Sequence, residues 1–279
     1  ALRQRRMFFG QDHARVADSL NNLGVLLKNR RQWDEAEALH RQALDVRRTL
    51  LTASQLGSTE GEASLDECQR DVATSMTNLA AVLKHNGQLE EAETLYRDAL
   101  EMFREVLGPE HYRVAVSLNN LALLLREQGR YEKAEAMFKE ALAIRRQVFG
   151  DHHPAVAAGL YNLALILADT ERPGEAADLY REALGILREL PGEEHPYVAH
   201  VVGKLAALLL DGGELRAVEQ LWRDTLAFRG SRLPDGHPKT VRARIQLADC
   251  LIDLGELPEA ERLLQECQEA TNGAGRKHH

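Results

Sequence analysis

The sequence predicts an all-α fold: a right-handed α-solenoid, or superhelix, of antiparallel helix pairs. Three observations carry this. Leu79, Leu121, Leu163, Leu205 and Leu247 are each 42 residues apart, and a fixed period of roughly 20–50 residues marks stacked supersecondary units with one-dimensional contacts. The neighbours keep step: Ala80, Ala122, Ala164, Ala206 and Ala248 follow those leucines, and Ala36, Ala92, Ala134, Ala176 and Ala260 lie thirteen positions after theirs, with Val218 the exception. Between Gly/Pro breaks, apolar residues recur at helical spacing. Leu23, followed by Gly24, sits 56 before Leu79, which is the period plus a 14-residue insertion.

The elements follow in order. Residues 1–13 read as the second half of a truncated preceding repeat. Ala1 lies 42 before Ala43, and Gly10 and His13 match Gly108 and His111 once the insertion is allowed for. The chain thus begins inside a repeat, as a piece of a longer array would. Residues 14–51 are the first full repeat. Residues 52–70 read as an inserted loop, rich in Ser, Thr, Gly and Glu, exposed and mobile; a tolerated surface insertion is preferred over a regulatory segment. Repeats two to six occupy 71–112, 113–154, 155–196, 197–238 and 239–271.

The third repeat shows the unit. Val114, Leu118, Leu121, Ala122 and Leu125 line one face of a first helix, A, which Gly129 stops. Tyr131–Val148 repeats the pattern in a second helix, B, with Ala134, Phe138, Ala141 and Leu142. Phe149-Gly150-Asp151-His152-His153-Pro154 closes the unit. Ala122 and Ala134 let A and B approach, and Ala141 does the same toward the next unit. The fourth repeat places Pro173-Gly174 in its turn. The fifth is the most divergent, with Gly203, Val218, Thr225 and Gly230. The sixth has Gln246 and Asp249 on its first helix. Residues 272–279 read as a disordered, glycine-broken tail.

The bulk numbers exclude several classes. The 279 residues are 44% hydrophobic and 28% charged, with net charge -8 and pI near 5.8, so the basic footprint of a sequence-independent nucleic-acid binder is missing. Charge is uneven: residues 1–51 carry ten Lys/Arg against six Asp/Glu, net +4, and residues 52–110 carry four against twelve, net -8. Three cysteines, Cys68, Cys250 and Cys267, form no CxxC pair and fit an intracellular, cytoplasmic setting. No apolar run approaches the ~20 residues of a spanning helix. The start ALRQRRMFFG has no apolar segment of the kind a signal peptide needs.

The pattern L-[GA]-x2-L, Ala thirteen on, an aromatic four later and Ala three after that resembles the tetratricopeptide repeat. The aromatic slot holds Tyr96, Phe138, Tyr180 and Trp222, with His40 and Leu264 in the first and last repeats. The 42-residue period, the SLNNLALLL-type helix and the G-x-x-H-P loop look like the kinesin light chain and nephrocystin-3 type of array. That resemblance implies a concave face lined by the A helices, whose polar side chains hold an extended peptide. It also extends the expected setting to cytoskeleton or cilium.

Carried over position by position, the resemblance nominates Asn22, Asn78, Asn120, Asn162 and Lys204, with Gln246 completing that column; Asn119 and Tyr161 lie one position earlier. Asparagine offers a donor and an acceptor to a peptide backbone and is a mediocre helix former. The alternative is a structural hydrogen bond between neighbouring A helices; the groove reading takes precedence because the column would face the cavity. Five residues after each ruler leucine come Lys28, Lys84, Arg126, Ala168, Leu210 and Ile252, and beside them Asn29, His85, Glu127, Asp169, Asp211 and Asp253. A basic first half would favour acidic residues in the ligand, and kinesin light chain-like arrays accept acidic peptides carrying a tryptophan. Equally, these are ordinary helix ends, where cations complement the dipole.

His111, His153, His195 and His237 also recur at 42. One repeat apart, they are too separated to share a metal at ~2.1 Å; each reads as a loop histidine bonding backbone at a helix entry. Cys267 replaces a packing alanine and reads as a small buried hydrophobe, and Trp33 and Trp222 read as core or seam. No GxxxxGK[ST], GxGxxG, HExxH or GxSxG occurs. The acids Asp34, Glu35, Glu90 and Glu91 open B helices, where the dipole favours them.

The expectation is a non-catalytic adaptor or scaffold, with no cofactor and no metal, that binds a linear, partly acidic peptide in its concave groove. Its partner is a protein or peptide, not nucleic acid, with no membrane insertion. The alternatives are an assembly module that packs against large partners or itself, and a regulatory repeat domain of a larger protein.

Overall fold

The computed structural model describes residues 2–10, 12–57, 64–191 and 194–275. Among them the chain forms thirteen α-helices and no strand. In order these are α1 (Leu2–Phe9), α2 (Ala14–Asn29), α3 (Trp33–Gln55), α4 (Leu65–His85), α5 (Leu89–Leu107), α6 (Tyr112–Glu127), α7 (Tyr131–Phe149), α8 (Pro154–Asp169), α9 (Pro173–Glu189), α10 (Tyr197–Asp211), α11 (Leu215–Gly230), α12 (Pro238–Asp253) and α13 (Leu257–Gly275). Two compact units result, Ala1–Val148 and Phe149–His279. In the first, α1 to α6 each pack on the next, and the A helices α2, α4 and α6 also touch in succession. In the second, α8 to α13 pack the same way, and α8 touches α10.

Each A–B turn has one geometry. The residue eight after the ruler leucine has positive φ: Arg31 (60°), Gly87 (77°), Gly129 (74°), Glu171 (56°), Gly213 (72°) and Gly255 (80°). The next amide then donates to a leucine carbonyl five residues back, as in Gln32 to Leu27, Arg130 to Leu125 and Glu256 to Leu251, at 3.0, 2.9 and 2.8 Å. This closes the orphan carbonyls of the helix end. Four repeats use glycine, for which the left-handed region is free; Arg31 and Glu171 hold it against their own Cβ.

The recurring histidines open the A helices. His13, His111, His153 and His237 are N-caps, and in each the imidazole Nδ1 accepts the amide two residues on at 3.1–3.2 Å; His195 does the same for Tyr197. The expected backbone role is therefore the one they play. At α4, where the insertion breaks the pattern, Ser64 and Glu67 form a capping box instead.

The constant columns form the core. Leu79, Leu121, Leu163, Leu205 and Leu247 are at most 6% exposed, whereas Leu23 is 38% exposed. Ala122, Ala134 and Ala141 are buried, as are Trp222 and Cys267. Two buried arginines on B helices tie consecutive repeats. Arg47 of α3 donates to the Asp71 carbonyl and to Ser75 Oγ on α4, and to Asp18 Oδ1 on α2. Arg229 of α11 donates to the Lys239 carbonyl of α12 and ion-pairs with the buried Glu194 at 2.9 Å. Lys239 lies in the first turn of α12, whereas Asp71 lies in the second turn of α4.

Three expectations are corrected. Much of 52–70 is helix rather than loop: α3 runs on to Gln55 and α4 starts at Leu65, because Ser64 supplies a cap and Cys68 and Val72 an apolar face to bury. Only 58–63, inside the expected loop, lies outside the described residues. Residues 272–275 complete α13 rather than a tail, and 276–279 lie outside the described residues. Pro173 is not in the turn but is the first residue of α9, where its fixed φ and missing N–H are harmless.

Candidate peptide-binding face

The nominated residues of the first unit lie on the A helices α2, α4 and α6. The asparagine column is uneven. Asn22 is exposed, and Asn78 and Asn120 are half-buried. In the first repeat the bond between A helices raised as the alternative is made at the preceding position. Asn21 is buried, donates to Ser75 Oγ of the next A helix at 2.9 Å and meets His40 Nδ1 at 2.9 Å. Asn119, in that same column, is half-buried.

At the C-terminal ends of these helices, Lys28, Lys84, His85 and Glu127 form one electrostatic group. Burial and then Lys84 lower the His85 pKa, Glu127 opposes them, and Lys28 adds to the lowering. Lys84 Nζ bridges to Glu127 Oε1 of the next repeat at 2.8 Å, so its charge is engaged within the protein. His85 stacks on Trp33 with ring centroids 4.3 Å apart, the seam role expected of that tryptophan. Lys28 forms no ion pair among the described residues, and Arg126 is half-buried in the last turn of α6.

Between α4 and α6 lies a cleft of about 200 Å³. Asn78, Thr74, Thr77 and Ser117 supply its polar atoms, and Phe103, Tyr112 and Val116 its apolar wall. Arg113 lies over Phe103, 5.7 Å from the ring centroid, and donates to Thr74 Oγ1. Sequence reasoning found only Asn78 here. The available signal was Val116, a β-branched residue in a column otherwise polar or small, and it is exposed.

In the second unit the nominated residues separate. Asn162 is buried. Tyr161 sits between Tyr180 and Tyr197, 5.7 and 5.8 Å away, as part of a seam. Lys204 is exposed on α10. The position that carries cations in the first unit holds Leu210 and Ile252 here, both exposed. Among the described residues, no His/Cys/Asp/Glu group has the arrangement of a metal site, and no helix is long and apolar enough to cross a membrane.

Comparison with known proteins matches this architecture. A tetratricopeptide repeat profile matches residues 71–147, 117–189 and 156–231, and two others match 16–53 and 241–266. No curated protein matches the chain. Among solved structures, the nearly identical TPR-like repeats of a candidate kinesin light chain from Podosopora anserina align with a TM-score of 0.60 and 23% identity, over 73% of this chain and 96% of that one. BtubC (BKLC) from P. vanneervenii aligns with a TM-score of 0.64 and 21% identity, over 87% and 92%. The apo form of RapI aligns at 0.58 and 16%, over 93% and 99%. These neighbours share the fold of helix pairs. With its repeat profiles covering more than half of its length, the chain belongs to the tetratricopeptide repeat family.

Proposed function

We propose that the protein is a non-catalytic interaction scaffold whose first unit takes a linear, partly acidic peptide on the exposed face of α2, α4 and α6. One observation carries this: Lys28, Lys84 and Arg126 end three successive A helices, and a cleft walled by Phe103, Tyr112 and Val116 opens toward the start of α6, Val116 lying about 15 Å of helix before Arg126. A carboxylate on the ligand pairs with Lys28 and Arg126. An apolar side chain enters the cleft, and Asn22, Asn78 and Asn120 hold the backbone. At Lys84 a ligand carboxylate competes with Glu127. The kinesin light chain-like neighbours are consistent with such a role.

The test is fluorescence anisotropy with a labelled acidic peptide against the wild type and Lys28→Glu/Arg126→Glu. Tenfold or greater weakening, about 1.4 kcal/mol, is expected. Unchanged affinity removes the basic face from the account.

The assembly alternative has its own observation. Met7 and Phe8 are 81% and 82% exposed next to each other on α1, with the Phe8 ring 4.8 Å from that of Phe9, and neighbouring exposed apolar side chains are what an association surface presents. A solution mass above 31.2 kDa that falls on Phe8→Ser substitution would establish it.

A further inference from the structure

Where the A helices of the first unit carry Lys28, Lys84 and Arg126 in their last turns, those of the second carry Ala168, Leu210 and Ile252. Among the described residues of that unit, five large hydrophobics are exposed: Phe149, Leu210, Ile245, Ile252 and Leu257. Phe149 and Leu257 sit at helix ends. The other three lie on A helices, Leu210 on α10 and Ile245 and Ile252 on α12, at 46%, 38% and 45% exposure. The large apolar side chains of the B helices α9 and α11 are buried or half-buried. Beside Leu210 and Ile252 in sequence stand Asp211 and Asp253, exposed and without a hydrogen bond or ion pair among the described residues. Along α10, Ala199, Gly203 and Ala207 are also exposed at helical spacing before Leu210, so no long side chain screens that stripe except Lys204 and His200 at its edge.

We propose that this face is a second docking surface, and that its occupant is a linear segment with an aliphatic side chain next to a lysine or arginine. Leu210 and Ile252 take the aliphatic group, and Asp211 and Asp253 take the cation. The occupant follows from charge: uncompensated carboxylates beside apolar side chains repel an acidic ligand and attract a basic one. Carboxylates at the C-terminal ends of α10 and α12 also oppose the helix dipoles, an unfavourable placement that a bound cation relieves. The proposal rests on the reading that A-helix faces hold the ligand, but not on the charge preference of the first unit.

Two labelled dodecamers test it, one alternating leucine and lysine and one alternating leucine and glutamate, so that apolar content is equal. Binding is measured on the full chain at two salt concentrations. The leucine–lysine peptide should bind at least tenfold more weakly to Asp211→Lys/Asp253→Lys, and also to Leu210→Ser/Ile252→Ser, and its affinity should fall with salt. Circular dichroism confirms that these exposed substitutions leave the fold intact. The leucine–glutamate peptide should be indifferent to both and lose affinity only to Lys28→Glu/Arg126→Glu. If the lysine peptide ignores both second-unit variants, the second surface is refuted while the first stands. If only the glutamate peptide ignores its variant, the reverse holds. Loss of a dimer in Leu210→Ser/Ile252→Ser, with no peptide effect, would make a second copy the occupant and overturn the proposal.

Discussion

His40 is the one place in the first unit where a titratable ring replaces the usual aromatic of the B helix. It is fully buried. Asn21 spends its amide N–H on Ser75 Oγ, so its Oδ1 faces the ring, and His40 Nδ1 must carry the proton. Nε2 is then bare, and it has no hydrogen-bond partner. It points at Gly24, where a Cβ would lie only 2.6 Å away, which accounts for glycine here in an alanine column. Burial first, and the charge of Lys28 second, push the His40 pKa from 6.5 down to about 4. Because the folded value lies below the unfolded one, the contribution to stability is complete above pH 6.5 and is lost as pH falls toward 4. That gap is worth roughly 3 kcal/mol in full, of which about 2 kcal/mol is lost by pH 5. The perturbation is His40→Phe, and the assay is urea unfolding of the whole chain at pH 7 and pH 5, with hydrogen exchange over α2 and α3 locating the effect. At pH 7 the variant should be less stable by about 1 kcal/mol, since Asn21 Oδ1 loses its donor. Between pH 7 and pH 5 the wild type should lose about 2 kcal/mol more than the variant. The capping histidines are common to both proteins and cancel. Equal losses would refute the neutral buried imidazole and with it the assignment of the proton to Nδ1.

Arg31→Gly and Glu171→Gly should each raise stability by up to about 1 kcal/mol, because both residues hold a positive φ that glycine adopts freely; a lower Tm in both would contradict the turn geometry. Arg229→Met should cost up to about 3 kcal/mol, because the buried Glu194 keeps only Lys239 as an ion-pair partner, and adding Glu194→Leu should restore most of it in a thermal melt. His111→Ala should cost about 1 kcal/mol through its cap, and His111→Asp should retain it.

The columns that stay constant made the fold legible, because packing repeats when the unit repeats. Ala122 and Ala134 are buried and small where helices pack, and a positive φ recurs wherever helix A turns into helix B, held by glycine in four of the six turns. The helix at Leu65–Arg70 was hidden because its start depends on a local cap, Ser64 with Glu67, inside a segment whose composition reads as loop. The site was less legible for a related reason. A column position says which face a side chain leaves from, but not whether a neighbour has already claimed it. Asn162 is buried where Asn22 is exposed, and Lys84 is held by Glu127. The bond between A helices, weighed for Asn22, is made by its neighbour Asn21 because His40 and Ser75 converge there.

The most direct test of the central claim is a footprint of the bound acidic peptide. Carrying a photoreactive group, it should crosslink to the exposed sides of α2, α4 and α6, with Val116 and Tyr112 among the labelled positions. Crosslinks confined to the exposed sides of the B helices α3 and α5 would contradict the account, because the ligand would then lie on the face where neither the cations of Lys28 and Arg126 nor the cleft can reach it.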